Sequence, residues 1–339
     1  MTRSERTGVA VVGLGAIGME HAAIYRAAGD VELVGNHDLD ADRAARVAAE
    51  FGGTAYPSVA DIAADARVDA VSLCTPDHLH VADAMTLLEA AKHVLIEKPV
   101  ALTSDDVMRL AGTAAASGVV AMPGHTLRFD PRYNRLAREV RGGVLGEVVH
   151  GYLRRDNLQS VARRAVGRVS VAWFLGTHDV DALMWISGLD VVEVQAMATS
   201  STEPGGRQAW AILATLRLSN GGVVHLESSW GLPDSYPTGL DAAFRLVGSV
   251  GEVNLVNYDS GIRIISSAGV SLPPQGGMVH GRPQGALQTE LSHFIDCART
   301  GSRPVVTMEE AARVAAVITA IDEAVNTGTT VEVAEVEVP

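Results

Sequence analysis

Cysteine is scarce: Cys74 and Cys297 are the only two in 339 residues, too few for a disulfide framework and without metal-ligand spacing, so both are expected as reduced thiols. Positive charge is short as well. Lys and Arg number 27 against 40 Asp and Glu, giving a net charge of −13 and a pI near 5.3. That surface repels polyanions, which argues against nucleic acid and anionic membrane as partners and leaves small molecules. No apolar run reaches the roughly 20 residues that cross a bilayer. The start, Met1-Thr2-Arg3-Ser4-Glu5-Arg6, has no apolar signal-peptide core, so a cytoplasmic location is expected. Internal repeats are missing too, and the only compositional bias is alanine-rich helix. No metal site is expected.

What is present begins with the β-branched run Val9-Ala10-Val11-Val12, followed by Gly13-Leu14-Gly15-Ala16-Ile17-Gly18 and, twenty positions later, Asp38. This layout suits a dinucleotide. A strand delivers a tight turn at Gly13, Gly15 lets the backbone approach a pyrophosphate facing a helix N-terminus, and Gly18 lets that helix lie close on the strand. Gly13, Gly15, Ala16, Ile17 and Gly18 are therefore the expected contacts. Asp38 closes the run Val31-Glu32-Leu33-Val34, where a carboxylate accepts from both ribose hydroxyls and repels a 2′-phosphate. NAD is thus expected ahead of NADP, with NADP kept open by Arg43 five residues further on.

The chain is 47% hydrophobic and long enough for two domains. Up to about residue 123, short apolar runs alternate with helical stretches: Val9–Val12, Val31–Val34, Ala70–Cys74, Val94–Ile96 and Val119–Met122. That rhythm predicts a Rossmann doubly wound parallel sheet over residues 1–124. Later runs at 209–218, 223–230 and 244–247, with the Asn220-Gly221-Gly222 turn, predict an α+β domain over 125–339 whose mainly antiparallel sheet has one open face. Helices are expected at 286–299 and 308–326, covering either domain. Pro, Gly and Ser cluster at 201–206 and 271–285, which reads as loops.

Further segments follow in order: Cys74-Thr75-Pro76-Asp77-His78-Leu79-His80, Lys92-His93-Val94-Leu95-Ile96-Glu97-Lys98-Pro99, Arg128-Phe129-Asp130-Pro131, Gly143-Val144-Leu145-Gly146-Glu147-Val148 and Gly176-Thr177-His178-Asp179-Val180-Asp181. With the glycine turn, the series resembles the glucose-fructose oxidoreductase / inositol dehydrogenase / MocA (Gfo/Idh/MocA) family of NAD(P)-dependent oxidoreductases over nearly the whole chain. Glu97-Lys98-Pro99 is the most specific element. The resemblance implies a dinucleotide-binding domain before an open-faced substrate and oligomerisation domain, sugar or cyclitol substrates, and a homodimer or homotetramer. It places Thr75, Pro76 and His80 along the cofactor cleft and Glu97 at its nicotinamide end. It makes Lys98 a catalytic or substrate-orienting residue that also contacts the cofactor, and His178 the proton-transferring one. One departure stands out: many relatives carry Asp four residues before the His, where this chain has Phe174.

Oxidising a secondary alcohol needs a base and a group that stabilises the developing alkoxide. A short helix from Thr177 to Ser187, with Thr177 as N-cap and Gly188 just past its end, would put His178 in the first turn. There the positive helix end keeps the imidazole neutral. Lys98, held extended before Pro99, would steady the reacting oxygen; Glu97, the adjacent strand residue, faces away from it unless the chain bends. His125 and Arg128, on the loop leaving the first domain's last strand, are candidates to touch substrate or nicotinamide. Asp156 and Asn157 suit sugar hydroxyls, or a turn. Arg154, Arg155, Arg163, Arg164 and Arg168 crowd together in an acidic protein, so they are read either as a site for an anionic substrate, with Arg168 as a contact, or as interface ion pairs. Trp173, Trp185 and Trp230 suit sugar stacking, Trp185 fitting a helix core better. The function expected is hydride transfer between a sugar or cyclitol hydroxyl and NAD. Alternatives are a transient-redox epimerase or eliminase of the same fold and a non-catalytic dinucleotide-binding regulator.

Overall fold

A computed structural model describes residues 6–165, 168–199, 209–256, 264–266, 269–271, 277–280 and 282–337. Contacts group the chain into two compact units. One comprises 1–129, 276–312 and 338–339; the other comprises 130–275 and 313–337. The boundary is therefore not a single cut at 124/125, because a C-terminal segment rejoins the first unit. The expected loop at 201–206 lies outside the described residues. Part of 271–285 does too, and the described part forms short strands.

In the first unit, strands β1 (Thr7–Val12), β2 (Val31–His37), β3 (Thr54–Ala55), β4 (Ala70–Leu73), β5 (His93–Glu97) and β6 (Ala121–Gly124) alternate with helices. These are α1 (Ala16–Ala27), α2 (Ala41–Phe51), α3 (Val59–Ala64), α4 (His80–Glu89) and α5 (Ser104–Ser117). All strand pairs are parallel, in the order β3-β2-β1-β4-β5-β6. Asp40, Ser58 and Thr103 cap α2, α3 and α5 by accepting backbone N–H groups at the third residue of each helix, worth about 1 kcal/mol each. By contrast, α1 has no side-chain cap, which leaves its first amides pointing beyond the helix.

The chain enters the second unit through α6 (Pro131–Arg141), then β7 (Val148–Leu158), α7 (Gln159–Ala165), α8 (Thr177–Ser187), β8 (Val191–Ala198), β9 (Ala211–Leu218), β10 (Val223–Leu232), β11 (Leu240–Gly248) and β12 (Glu252–Val256). Two short antiparallel pairs follow, β13 (Ile264–Ser266) with β14 (Gly269–Ser271) and β15 (Gly277–Val279) with β16 (Arg282–Gln284), before α9 (Ala286–Thr300), α10 (Met308–Thr327) and β17 (Val331–Glu332). The seven-stranded sheet runs β12-β11-β7-β10-β9-β8-β17. Every pair in it is antiparallel except β7 with β10. Both late helices lie where the periodicity puts them. Leu291, Phe294, Ile295 and Cys297 of α9 join the first unit's core with Val9, Val11, Leu14 and Tyr25.

Strand alternation sorts the second sheet's faces. Leu153, Leu226 and Phe244 are buried on the face that carries α6 and α8, marked by the Tyr133–Phe244 ring contact and the Arg155–Asp179 ion pair. The opposite face presents Met197, Leu213, Tyr152, Arg154, His225 and Glu227, and Met197 is 80% exposed. The open-faced, mainly antiparallel architecture read from the sequence is what the chain forms.

Candidate active site

The glycine turn behaves as three different glycines. Gly13 has φ +85°, and a Cβ there would meet the backbone of Cys74 and Thr75 at 2.6 Å. A Cβ on Gly18 would lie 1.9 Å from the Gly13 carbonyl oxygen, whereas one on Gly15 meets nothing within 4 Å. The first and third allow the fold. Gly15, beside exposed Ala16 and half-buried Ile17, leaves open space before the uncapped end of α1. That combination fits a pyrophosphate, which the free amides and the helix dipole would hold.

Asp38 follows β2. It accepts the Leu14 amide at 2.7 Å and the Asp40 amide at 2.8 Å, so its carboxylate is tied to the glycine turn. Arg43 contacts both carboxylate oxygens, at 3.2 and 3.3 Å. After β4, Thr75 and Pro76 lead into α4, and His80 bridges two loops, Nε2 lying 2.7 Å from the Thr75 carbonyl and Nδ1 2.8 Å from that of Pro99. Asp83 lies 3.5 Å from the Thr75 hydroxyl. Burial pushes its carboxyl up, against the pull of His37 and His80.

Glu97 ends β5 and is buried. Its side chain turns back to accept the Lys98 backbone N–H at 3.2 Å, and its other oxygen lies 3.3 Å from His21 Nε2. A Cβ at Gly124 would come within 3.2 Å of this carboxylate, so the glycine makes room for it. Burial alone would raise Glu97, yet His21 and the Lys98 ammonium outweigh it and hold the carboxyl below its ordinary value. His21 Nδ1 in turn reaches Cys74 Sγ at 3.5 Å, and burial drives that thiol well up. The sequence reading missed His21, although its place three residues after Gly18, with Tyr25 a further turn on, marks the same buried helix face. Both thiols are free.

Lys98 is half-buried at the start of the loop after β5, and His125 is buried at the exit of β6. Arg128 is buried, and Nη1 donates to the Val305 carbonyl at 3.1 Å and pairs with Glu310 at 2.9 Å. Its guanidinium is thus used to hold segments of the first unit. The first unit therefore carries Gly13, Gly15, Asp38, Thr75, Glu97, Lys98 and His125 at the carboxyl ends of its parallel strands, the edge where open α/β sheets take ligands.

In the second unit, half-buried His178 lies on α8, but the helix does not start at Thr177. A π-helical turn over Ala172–Gly176 runs directly into it, and the Thr177 N–H already bonds the Ala172 carbonyl. The Thr177 hydroxyl donates back to the Trp173 carbonyl at 2.8 Å instead of capping. Free amides, and with them the positive dipole end, sit upstream, so the helix-terminus argument for a neutral His178 falls. Gly188 does end α8, at φ +69°. Beside His178, Asp179 takes a bidentate ion pair from Arg155, at 2.7 and 2.9 Å, fully buried. Burial pushes the Asp179 carboxyl up against this guanidinium. Arg155 itself is held charged, Asp179 and Tyr133 outweighing the cost of burial.

Asp156, one residue on, points to the open face, away from α8. Its Oδ1 is buried without a hydrogen-bond partner among the described residues. Burial, then the charges of Glu227, Asp241 and Asp179, push its carboxyl up to about 7 against Arg154. Asp156 therefore lies on the sheet face opposite the one that carries Arg155 and its partner Asp179 on α8. Three arginines of the cluster form ion pairs within the second unit: Arg154 with Asp241 at 2.8 Å, Arg155 with Asp179, and Arg163 with Asp234. Arg168 is exposed, and the Arg164 side chain lies outside the described residues. Trp173 and Trp230 are buried, which removes them as sugar platforms. Phe174 packs edge-on to Trp230, ring centroids 5.8 Å apart, and Trp185 lies under the Arg141 guanidinium at 5.7 Å.

Comparison with known proteins agrees with this anatomy. Residues 7–125 match the family described as "Oxidoreductase family, NAD-binding Rossmann fold", and 133–254 match the GFO/IDH/MocA C-terminal domain. Inositol 2-dehydrogenase 1 of Saccharopolyspora erythraea is 30% identical over 336 residues, 96% of each chain. The chain belongs to the GFO/IDH/MocA oxidoreductase family. UDP-N-acetylglucosamine 3-dehydrogenase of Acidithiobacillus ferrooxidans is another relative, 34% identical over 224 residues, 66% of each chain. The scyllo-inositol dehydrogenase of Lactobacillus casei, solved with NAD(H) and scyllo-inositol, shares the fold. Its TM-score is 0.83 at 18% identity, covering 97% of this family member and 100% of that chain.

Proposed function

We propose that this family member is an NAD-dependent dehydrogenase that moves a hydride between a secondary hydroxyl of a sugar, sugar derivative or cyclitol and the nicotinamide. The observation that carries the reading is the first unit's strand-end edge. There, an open Gly15 before uncapped amides, a carboxylate at Asp38 tied to the glycine turn and a half-buried Lys98 follow one another along one sheet. The relatives that act on inositol and on UDP-N-acetylglucosamine support the substrate class, and the NAD(H)-bound fold neighbour supports the cofactor.

In this reading residues 1–124, with the returning C-terminal segment, hold the nucleotide, and the second unit holds substrate and joins subunits. Gly13, Gly15, Ala16, Ile17 and Gly18 receive the pyrophosphate, Asp38 the adenosine ribose, and Thr75, Pro76, His80 and Glu97 line the remainder. Bound nicotinamide supplies the hydride acceptor. Lys98 donates a hydrogen bond to the reacting oxygen and stabilises its alkoxide character, a contribution of about 3 kcal/mol in comparable sites. His178 takes the hydroxyl proton and returns it in reverse. His21 holds Glu97 ionised beneath Lys98, and the Arg155–Asp179 pair fixes α8 so that His178 keeps its place. His125 and Arg168 remain the side chains proposed to contact substrate. Arg128 acts by holding the loop that presents His125.

The test is a panel of inositols, sugars, sugar acids and nucleotide sugars, with NAD and NADP supplied separately, read as appearance of reduced nicotinamide. Turnover with at least one cyclitol or sugar is expected. Product without net reduced nicotinamide would replace this reading by a transient-redox epimerase, and nucleotide binding without any product by a regulator.

A further inference from the structure

We propose that Arg43 makes the adenosine end of the site accept both dinucleotides, by competing with the ribose diol for Asp38 and by offering its own guanidinium to a 2′-phosphate. The inference rests on the reading of the first unit as a dinucleotide site and extends it to the choice between NAD and NADP.

The Asp38 carboxylate is nearly filled before any ligand arrives. Oδ2 accepts the Leu14 amide at 2.7 Å and Oδ1 the Asp40 amide at 2.8 Å. Arg43 Nη1 then lies 3.2 Å from Oδ2 and 3.3 Å from Oδ1. A carboxylate offers about four lone-pair positions. Two ribose hydroxyls donating to Asp38 must therefore take the positions that Arg43 now holds, and NAD binds against this ion pair. A 2′-phosphate meets the opposite situation. Asp38 alone would repel it, but a guanidinium in contact with that carboxylate cancels much of the repulsion and presents further N–H donors in a geometry suited to phosphate.

Arg43 is built to move between the two. Its side chain is 43% exposed, against 10% for Asp38, and a second contact, Nη2 to Asp40 at 3.4 Å, anchors it when it leaves Asp38. Asp40 caps α2 by accepting the Arg43 amide at 3.0 Å, so the guanidinium hangs from the first helical turn, where the helix dipole adds positive potential. The competition gives the two nucleotides opposite responses to one substitution, which neither a folding defect nor a general loss of affinity produces.

Dissociation constants for NADH and NADPH, read from nicotinamide fluorescence, test this on wild type, Arg43→Gln and Arg43→Lys, with circular dichroism reporting the fold. Wild type should bind both. In Arg43→Gln, NADPH should weaken about tenfold through loss of a charge-assisted hydrogen bond, while NADH tightens by up to about threefold as an exposed competing pair disappears. Arg43→Lys, which keeps the charge without the fork, should fall between them for NADPH. Equal changes for both nucleotides, no change in either, or a wild type that binds NADH but not NADPH would overturn the proposal. Binding of neither nucleotide to folded wild type would overturn the underlying nucleotide reading, which distinguishes the two failures.

Discussion

Replacing Asp156 by Asn should stabilise the second unit at pH 8 far more than at pH 5. In the folded chain its carboxyl is pushed up to about 7, first by burial and then by Glu227, Asp241 and Asp179; an unfolded chain releases that proton near 3.9. Between these values the folded state holds a proton that the unfolded state has lost, so stability falls as pH rises through this window and the full cost is reached above pH 7. Solvent reaching the open sheet face screens the effect, leaving about 1–2 kcal/mol at pH 8. Asn keeps the shape and removes the charge. Urea unfolding followed by circular dichroism at both pH values measures the difference. A gain at pH 8 that shrinks to about a third at pH 5 is expected. The same shift at both pH values, or a loss at pH 8, would show that Asp156 is ionised without cost and that the crowding of carboxylates on this face has been misjudged.

Arg155→Met should destabilise the second unit by about 3–5 kcal/mol, because the buried Asp179 carboxylate loses its only bidentate partner among the described residues; restoration of part of the loss in the Arg155→Met/Asp179→Asn double variant, by urea titration, would assign it to the stranded charge. Gly18→Ala should unfold or expel α1, since its Cβ would lie 1.9 Å from a carbonyl oxygen, while Gly15→Ala, with nothing within 4 Å, should keep the wild-type melting temperature and lose affinity for NADH. A Gly15→Ala protein that melts early would mean that the open space before α1 is not there. His80→Ala should weaken NADH binding and lower the melting temperature together, since one ring joins the Thr75 and Pro99 loops; unchanged values in both would remove it from the site.

The parallel sheet was legible because its signal is local: apolar runs of strand length, glycines at fixed offsets and helices with Asp, Ser or Thr caps. The ends of α9 and α10 were legible for the same reason. Long-range pairing was not. β7 reads as Tyr-Leu-Arg-Arg-Asp-Asn, and its arginines look like a ligand site until register sends Arg155 to α8 and Arg154 and Asp156 to the opposite face. The start of α8 was misplaced because Thr at the head of an apolar periodic stretch normally caps a helix, and the preceding π turn leaves no such mark. His21 and Glu97 are 76 residues apart on separate elements, so only the packing of α1 on β4 and β5 reveals their pairing. The return of α9 to the first unit likewise depends on which core its Leu291 and Phe294 enter, which periodicity cannot specify.

In the proposed reaction Lys98 stabilises the alkoxide and His178 transfers the proton, and single-turnover formation of reduced nicotinamide in wild type, Lys98→Ala and His178→Ala addresses these two roles most directly. With the best substrate from the panel, each variant should bind NAD as wild type does and form reduced nicotinamide slower by about a hundredfold or more. Wild-type rates in both variants would contradict the account.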